Sequence, residues 1–380
     1  MKEYVLTQNA KNSKLKFAFL KKDLVFTISL ILAMASSFIH PPKLEYINFK
    51  VLISLFNLML AIKAFEELKL LDRFAIGILN KCKSSKQVSA ILILLCFFTS
   101  MLVTNDVALI TFVPLTLIIS KKAKINMMET IVLQTIAANI GSSLTPMGNP
   151  QNLFIFSHYG ISPAQFFTTI LLLAFLGGSS LYISIYRLKG KKLNIALDPI
   201  PIKNRKKAAV WGIIFCIIIV SIFGGMSYQL AAIITFLAAC ILDYKLLAKI
   251  DYLLLITFIC FFIFIGNIAN IEALRDFASE GLKNSTSVYF SSILASQLIS
   301  NVPASILLSN FTMDWKSLLL GVNIGGLGTI IASLASVISY KLYIQSNPGK
   351  SKRYLIQFSL YNFLFLIFLS LIQFFILRLF

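Results

Sequence analysis

What most constrains this chain is a series of apolar segments long enough to cross a bilayer, several of which carry amides, prolines and glycines in their middle. A helix needs about 20 apolar residues to span, and runs of that kind lie near 24–40, 46–65, 129–158, 163–186, 208–224, 228–242, 252–269, 316–342 and 354–378. Two further runs, 88–120 and 287–311, are interrupted by "TND" and "SNVP". With 58% hydrophobic and 13% charged residues, the 380-residue chain is too apolar for a soluble protein. The expected fold is an all-α polytopic membrane protein. The basic N-terminal stretch before residue 24 resembles a signal peptide, but "HPPKLEY" and not a small-residue cleavage site follows it. An uncleaved first transmembrane helix is expected.

The net charge of +20 is mostly a matter of placement. Lys and Arg gather before residue 24, in 63–86, at 121–124, in 187–207, at 245–249 and at 341–353, whereas "SHYGISPAQ" and "GGMSYQ" carry neither. All the basic segments fall on one side only if 88–120 and 287–311 each return to the side they entered from. Re-entrant hairpins satisfy this, and the short arms of 287–311 favour them. The positive-inside rule then puts the N-terminus in the cytoplasm and the C-terminus outside the cell membrane. Such charge orients the protein and does not imply a nucleic-acid partner.

Two regions match in order. "TNDVALITFVPL" from Thr104 is followed by "NIGSSLTPMGNPQNL" from Asn139; "SNVPASILLSNF" from Ser300 is followed by "NIGGLGTIIASLASV" from Asn323. Each hairpin follows a charged amphipathic stretch and one span, and the charge rule reverses the sides. This predicts two inverted-topology repeats, each with a re-entrant hairpin and a broken transmembrane helix, and a site at their interface near midplane. The divisions are 1–45 (basic segment and first helix), 46–186 (first repeat), 187–207 (cytoplasmic linker), 208–251 (helical pair) and 252–380 (second repeat).

Gly141, Gly148 and Pro146 unwind the first helix, because proline lacks a donor and glycine permits close backbone approach. The N–H groups of the next half-helix can then hold a negative group. Asn139, Ser142, Ser143, Thr145, Asn149 and Asn152 offer amides and hydroxyls around it; Asn323, Gly325, Gly326, Gly328 and Thr329 are their counterparts. For "GGLGT" close helix packing is an equal reading. Asp106, alone ionisable in 88–120, is read either as the coupling group or as a helix cap.

At these residues the sequence resembles the ion transporter superfamily of divalent anion:sodium symporters, citrate carriers and arsenite permeases. "TND…P", "TPMGNPQN" and "SQLISNVPA" are similar to its hairpin-tip and broken-helix motifs. The resemblance implies a secondary transporter of a small anion, an elevator movement, a scaffold that forms a homodimer, and coupling to Na+ or H+. By this likeness the solute would meet Asn105, Ser142, Ser143, Thr145, Asn149, Asn301, Gly325, Gly326 and Thr329. The coupling cation would meet Thr104, Asp106, Asn139, Gly141, Gly148, Ser300 and Asn323, with a Na+ site at Asp106. Sodium–dicarboxylate members carry Ser-Asn-Thr at both tips; here the tips read Thr104-Asn105-Asp106 and Ser300-Asn301-Val302, so the asparagines carry over and the threonines do not.

A cation:proton antiporter on the same scaffold, with Asp106 exchanging, is the competing function. Enzymes are disfavoured: Asp106 has no paired deep Asp, and no His stands in the core for a protease or acyltransferase. His40 and His158 stand alone, and Cys82, Cys96, Cys216, Cys240 and Cys260 form no ligand spacing. No cofactor is expected beyond the coupling ion.

Overall fold

A computed structural model describes residues 24–193, 197–202 and 204–379. The basic segment before residue 24 and Lys203, both used to orient the chain, lie outside the described residues. The described chain is all α-helical, with short 3-10 turns and one isolated β-bridge, Ser84 with Lys192. In chain order the helices are α1 Leu24–Ile39, α2 Phe49–Glu67, α3 Leu70–Leu79, α4 Ser85–Val103, α5 Asn105–Ala123, α6 Met128–Ser143, α7 Pro150–His158, α8 Pro163–Arg187 and α9 Arg205–Ile222. They continue as α10 Tyr228–Asp243, α11 Tyr252–Ile268, α12 Glu272–Gly281, α13 Ser285–Ile299, α14 Asn301–Ser309, α15 Trp315–Gly325, α16 Leu334–Ser346 and α17 Ser351–Leu379. Ser85–Val103, Pro163–Arg187, Tyr228–Lys249 and Ser351–Arg378 are long and apolar enough to cross a membrane. The protein is thus an all-α polytopic membrane protein.

The chain forms two compact units. One comprises the described residues 24–48 together with 251–275. In it α1 packs along α11, and Asn267 donates to Ser36 Oγ at 3.1 Å, which gives its amide N–H a partner that apolar surroundings would not. Gly266 lies flat on the Tyr46 ring, where a Cβ would come within 2.3 Å.

The other unit comprises 49–250 and 276–380. There α2 packs on α9 and α10, with Phe65 and Phe215 edge to face at 5.3 Å. α4 and α5 form one helical hairpin, and α13 and α14 a second. α6 packs along α4, and α15 along α13. These two inner helices are buried on almost every side, from Thr130 to Ser143 and from Ser317 to Gly325, as expected of helices enclosed by others. Glycine permits the close approach: a Cβ at Gly141 would lie 2.1 Å from Phe97 O, and one at Gly325 2.7 Å from Ser296.

The linker is pinned to the start of the first hairpin. Ser85 N donates to Lys191 O at 2.8 Å, and Leu193 N to Lys83 O at 2.9 Å. Asn80 exchanges two bonds with Leu197, at 2.8 and 2.9 Å.

Candidate functional site

Each hairpin turns on a single residue. Thr104 has φ 77° and ψ 150°, and Ser300 has φ 76° and ψ 151°. A non-glycine residue in that region carries roughly 1–3 kcal/mol of strain, a condition met mostly at functional sites. The two tips share one conformation, although nearly two hundred residues separate them.

Each tip docks on a break in an inner helix. At the first tip, Asn105 N donates to Gly148 O at 3.1 Å and Thr145 Oγ1 to Met101 O. The break over 144–149 separates α6 from α7. Its carbonyls are held internally: Asn152 Nδ2 donates to Ser142 O, Ser143 O and Thr145 O at 3.0–3.3 Å. Asn149 caps α7 by accepting from Asn152 N at 2.9 Å, with Pro150 in the first turn; there proline costs no hydrogen bond.

At the second tip, Ser300 Oγ donates to Ala332 O at 3.3 Å. The break over 326–333 separates α15 from α16. Here Gln297, on α13, reaches across. Its Nε2 donates to Gly325 O at 2.7 Å and Leu327 O at 3.0 Å, and its Oε1 accepts from Thr329 N at 2.8 Å. Thr329 Oγ1 returns a bond to Gln297 O at 3.2 Å.

Asparagines join the two breaks. Asn139 Oδ1 accepts from Asn105 Nδ2 at 3.1 Å and from Ser333 Oγ at 3.0 Å, and Asn139 Nδ2 donates to Gly326 O at 3.3 Å. Asn149 Nδ2 donates to Asn323 Oδ1 and Ser142 Oγ, both at 3.2 Å, while Asn323 Nδ2 donates to Asn152 Oδ1 at 2.7 Å. Ser142 Oγ donates to Asn139 O at 3.0 Å and so links the two groups. Asn301 is only 3% exposed and lies against Gly326, where a Cβ would stand 2.7 Å from its Nδ2.

The predicted residues therefore meet, with some differences of part. Asn105, Asn139, Ser142, Asn149, Asn301, Gly326 and Asn323 form the centre. Thr145, Thr329 and Ser300 tie the breaks to the hairpins, and Thr104 is itself a turn. Gly141 and Gly325 face the hairpin arms and allow close packing. Gly148 folds back onto Ser142 O, where a Cβ would sit at 2.2 Å. Ser143 Oγ bonds back to Ile140 O at 2.6 Å. Asp106 is half-buried in the first turn of α5, its N–H donating to Asn105 Oδ1 at 3.0 Å. Gln297 and Ser333 were missed as site residues. A lone Gln in an apolar helical arm was the available signal.

Four helix N-termini converge here: α5 through Asn105, α7 through Asn149, α14 through Asn301 and α16 through Ser333. Those of α14 and α16 have no side-chain cap, whereas at α5 Asn105 N is held by Gly148 O and Asp106 N by Asn105 Oδ1. Helix N-termini carry partial positive charge and free N–H groups, so their meeting favours an anion. The carbonyl and amide oxygens between them are hard ligands of the kind alkali cations take.

Comparison with known proteins points the same way. The family model described as "Citrate transporter" matches residues 13–316. An uncharacterized transporter of Methanocaldococcus jannaschii is 36% identical over 323 residues, covering 84% of this chain and 88% of that one. The Escherichia coli inner membrane protein YbiR is 27% identical over 329 residues, covering 85% and 88%. A putative transporter arsB of Dictyostelium discoideum is 28% identical over 131 residues, covering 34% and 23%.

Proposed function

Since the chain belongs to the citrate transporter family, and is a multi-pass membrane transporter and not an enzyme, we propose that it moves a small anionic solute, a carboxylate or an oxyanion, by secondary active transport. The observation that carries this reading is the convergence of four helix N-termini on an asparagine cluster that includes no Lys or Arg. Anion attraction would come from backbone N–H groups and amide dipoles alone.

The matching tips and breaks support two inverted repeats; to these the family resemblance adds an elevator movement of the hairpins and broken helices, in a homodimer. Helix pairing adds support: α1 packs on α11, the helix that opens the second repeat, and α10 packs on α2, which opens the first. Each repeat would thus begin one helix earlier than the 46 and 252 boundaries. The proposed orientation keeps the N-terminus in the cytoplasm and the C-terminus outside the cell membrane, with Na+ or H+ as the coupling ion.

One observation favours a second reading, cation:proton antiport. Asp106 is a half-buried acid in the first turn of α5, directly after the first tip. Uptake of labelled citrate, succinate and arsenite into proteoliposomes, under imposed sodium and pH gradients, separates the two. Gradient-driven accumulation of one of these solutes supports the anion transporter. Gradient-driven cation movement with none of them taken up supports the antiporter.

A further inference from the structure

From Asn139 a line of buried hydroxyls leads away between α6, α16 and α17. Ser333 Oγ donates to Asn139 Oδ1 at 3.0 Å. Ser333, Ser336 and Ser339 stand three residues apart on one face of α16. Ser339 Oγ accepts from Thr135 Oγ1 at 2.7 Å and lies 3.1 Å from Tyr354 OH. Thr135 is one turn from Asn139 on α6. Ser336, Ser339, Thr135 and Tyr354 are all fully buried. At the far end Tyr354 stacks on Tyr343 at 4.8 Å and lies 5.7 Å from Tyr340, whose OH is 2.7 Å from Ser351 Oγ beside exposed Lys352 and Arg353.

Interhelical hydroxyls in membranes often serve only as glue, and Thr135 also bonds back to Ile131 O at 2.9 Å in that manner. Ser336 does not fit a glue role. Its hydroxyl is 0% exposed and has no hydrogen-bond partner among the described residues, although it sits between two engaged serines. An unsatisfied buried hydroxyl costs free energy, and no direct bond closes the line on either side of it, toward Ser333 or toward Ser339.

We propose that this line is the path by which a coupling proton reaches the solute site. The inference rests on the anion-transport reading above and names its coupling ion. A hydroxyl both donates and accepts. A proton arriving at one oxygen releases that group's own proton to the next, so only O–H bonds form and break. One proton entering at Tyr354 is matched by one delivered beside Asn139, where a bound carboxylate can take it. Waters bridging Ser336 to Ser333 and to Ser339, and Tyr354 to the Tyr340–Ser351 pair, would close the steps that no direct bond spans. The titratable and charged groups near the entry are Tyr340, Tyr343 and Arg353; Glu129, further along α6, is held by Tyr361.

The test uses the full chain in proteoliposomes with citrate, succinate and arsenite as probes and a pH-sensitive dye inside. Two assays are run in parallel: accumulation driven by a pH gradient, and exchange of labelled for unlabelled solute without one. Ser336→Ala, Ser339→Ala and Tyr354→Phe should each lose gradient-driven accumulation and the dye signal while keeping exchange. Ser339→Thr, which restores a hydroxyl, should recover both. Parallel loss of accumulation and exchange would mean a packing role and overturn the proposal. Wild-type accumulation driven by sodium alone would overturn it while leaving anion transport standing. Absence of any exchange by wild type would instead remove the transport reading, and the proton path with it.

Discussion

The two helix breaks solve one problem by opposite means. Both open carbonyls that an intact helix would satisfy, and in an apolar interior each stranded group costs several kcal/mol. The first break is closed from within by Asn152, seven to ten residues past the opened carbonyls, with Asn149 capping the helix that follows. The second has glycines, apolar residues and a single hydroxyl, Thr329, over 325–332 and is closed from outside by Gln297 on the hairpin. The first is therefore self-contained, whereas the second depends on its hairpin staying docked. If one break loosens as the hairpins move, it is the second.

The largest expected effect comes from removing the internal closure. Asn152→Ala strands Ser142 O and Ser143 O, leaves Thr145 O to Gly148 N alone and removes one acceptor of the Asn323 amide, and should destabilise the folded protein by roughly 3 kcal/mol. Poor monodisperse yield and a lowered thermal midpoint in detergent would register it. A midpoint equal to wild type would show that water or backbone adjustment closes the break instead.

Next in size is a contrast between matched glycines. Gly141→Ala drives a Cβ against the Phe97 carbonyl, which is backbone and cannot swing away; Gly325→Ala meets the Ser296 side chain, with the Ile293 Cα at 3.1 Å. Overpacking costs about 1–3 kcal/mol, so Gly141→Ala should sit at the upper end or beyond and Gly325→Ala below it. The reverse order in thermal unfolding would contradict the stated packing.

Gln297→Ala tests the external closure. It leaves Gly325 O, Leu327 O and Thr329 N without that partner, at about 1–3 kcal/mol. Because hairpin and break lose their tie, solute flux should fall by more than the stability loss accounts for. Flux that tracks folded yield alone would make Gln297 merely structural.

The smallest effect concerns the tips. Thr104→Gly and Ser300→Gly relieve a strained φ and should raise stability by up to about 1 kcal/mol each, less at Ser300, which also gives up its bond to Ala332 O. A gain at one tip only would break the equivalence of the hairpins.

Much of this arrangement was legible in the sequence, because length and hydropathy set the spans and helix-breaking residues cannot face lipid. The two Asn-Ile-Gly stretches, the hairpin arms and the breaks follow from that. The pairings do not. Gln297 and Met101 stand four residues before their tip asparagines in otherwise similar arms, yet one closes a break through its side chain and the other only lends a carbonyl to Thr145. Which of these happens depends on the rotational phase of the arm against the inner helix, and periodicity over an almost wholly apolar arm does not report it. The same holds for Ser333, whose hydroxyl crosses to Asn139 instead of capping its own helix. The reach of Asn323 to Asn149 and Asn152 depends on how the repeats approach one another, which local pattern does not encode.

The central claim is that both halves build one solute site, and alanine at the two tip asparagines tests it most directly. Asn105→Ala and Asn301→Ala, each reconstituted and assayed for uptake of labelled citrate, succinate and arsenite, should abolish transport of whichever probe wild type carries. Monodispersity and thermal midpoint should stay near wild type. Loss in both variants is the predicted result, and transport at the wild-type rate by both would contradict the shared site.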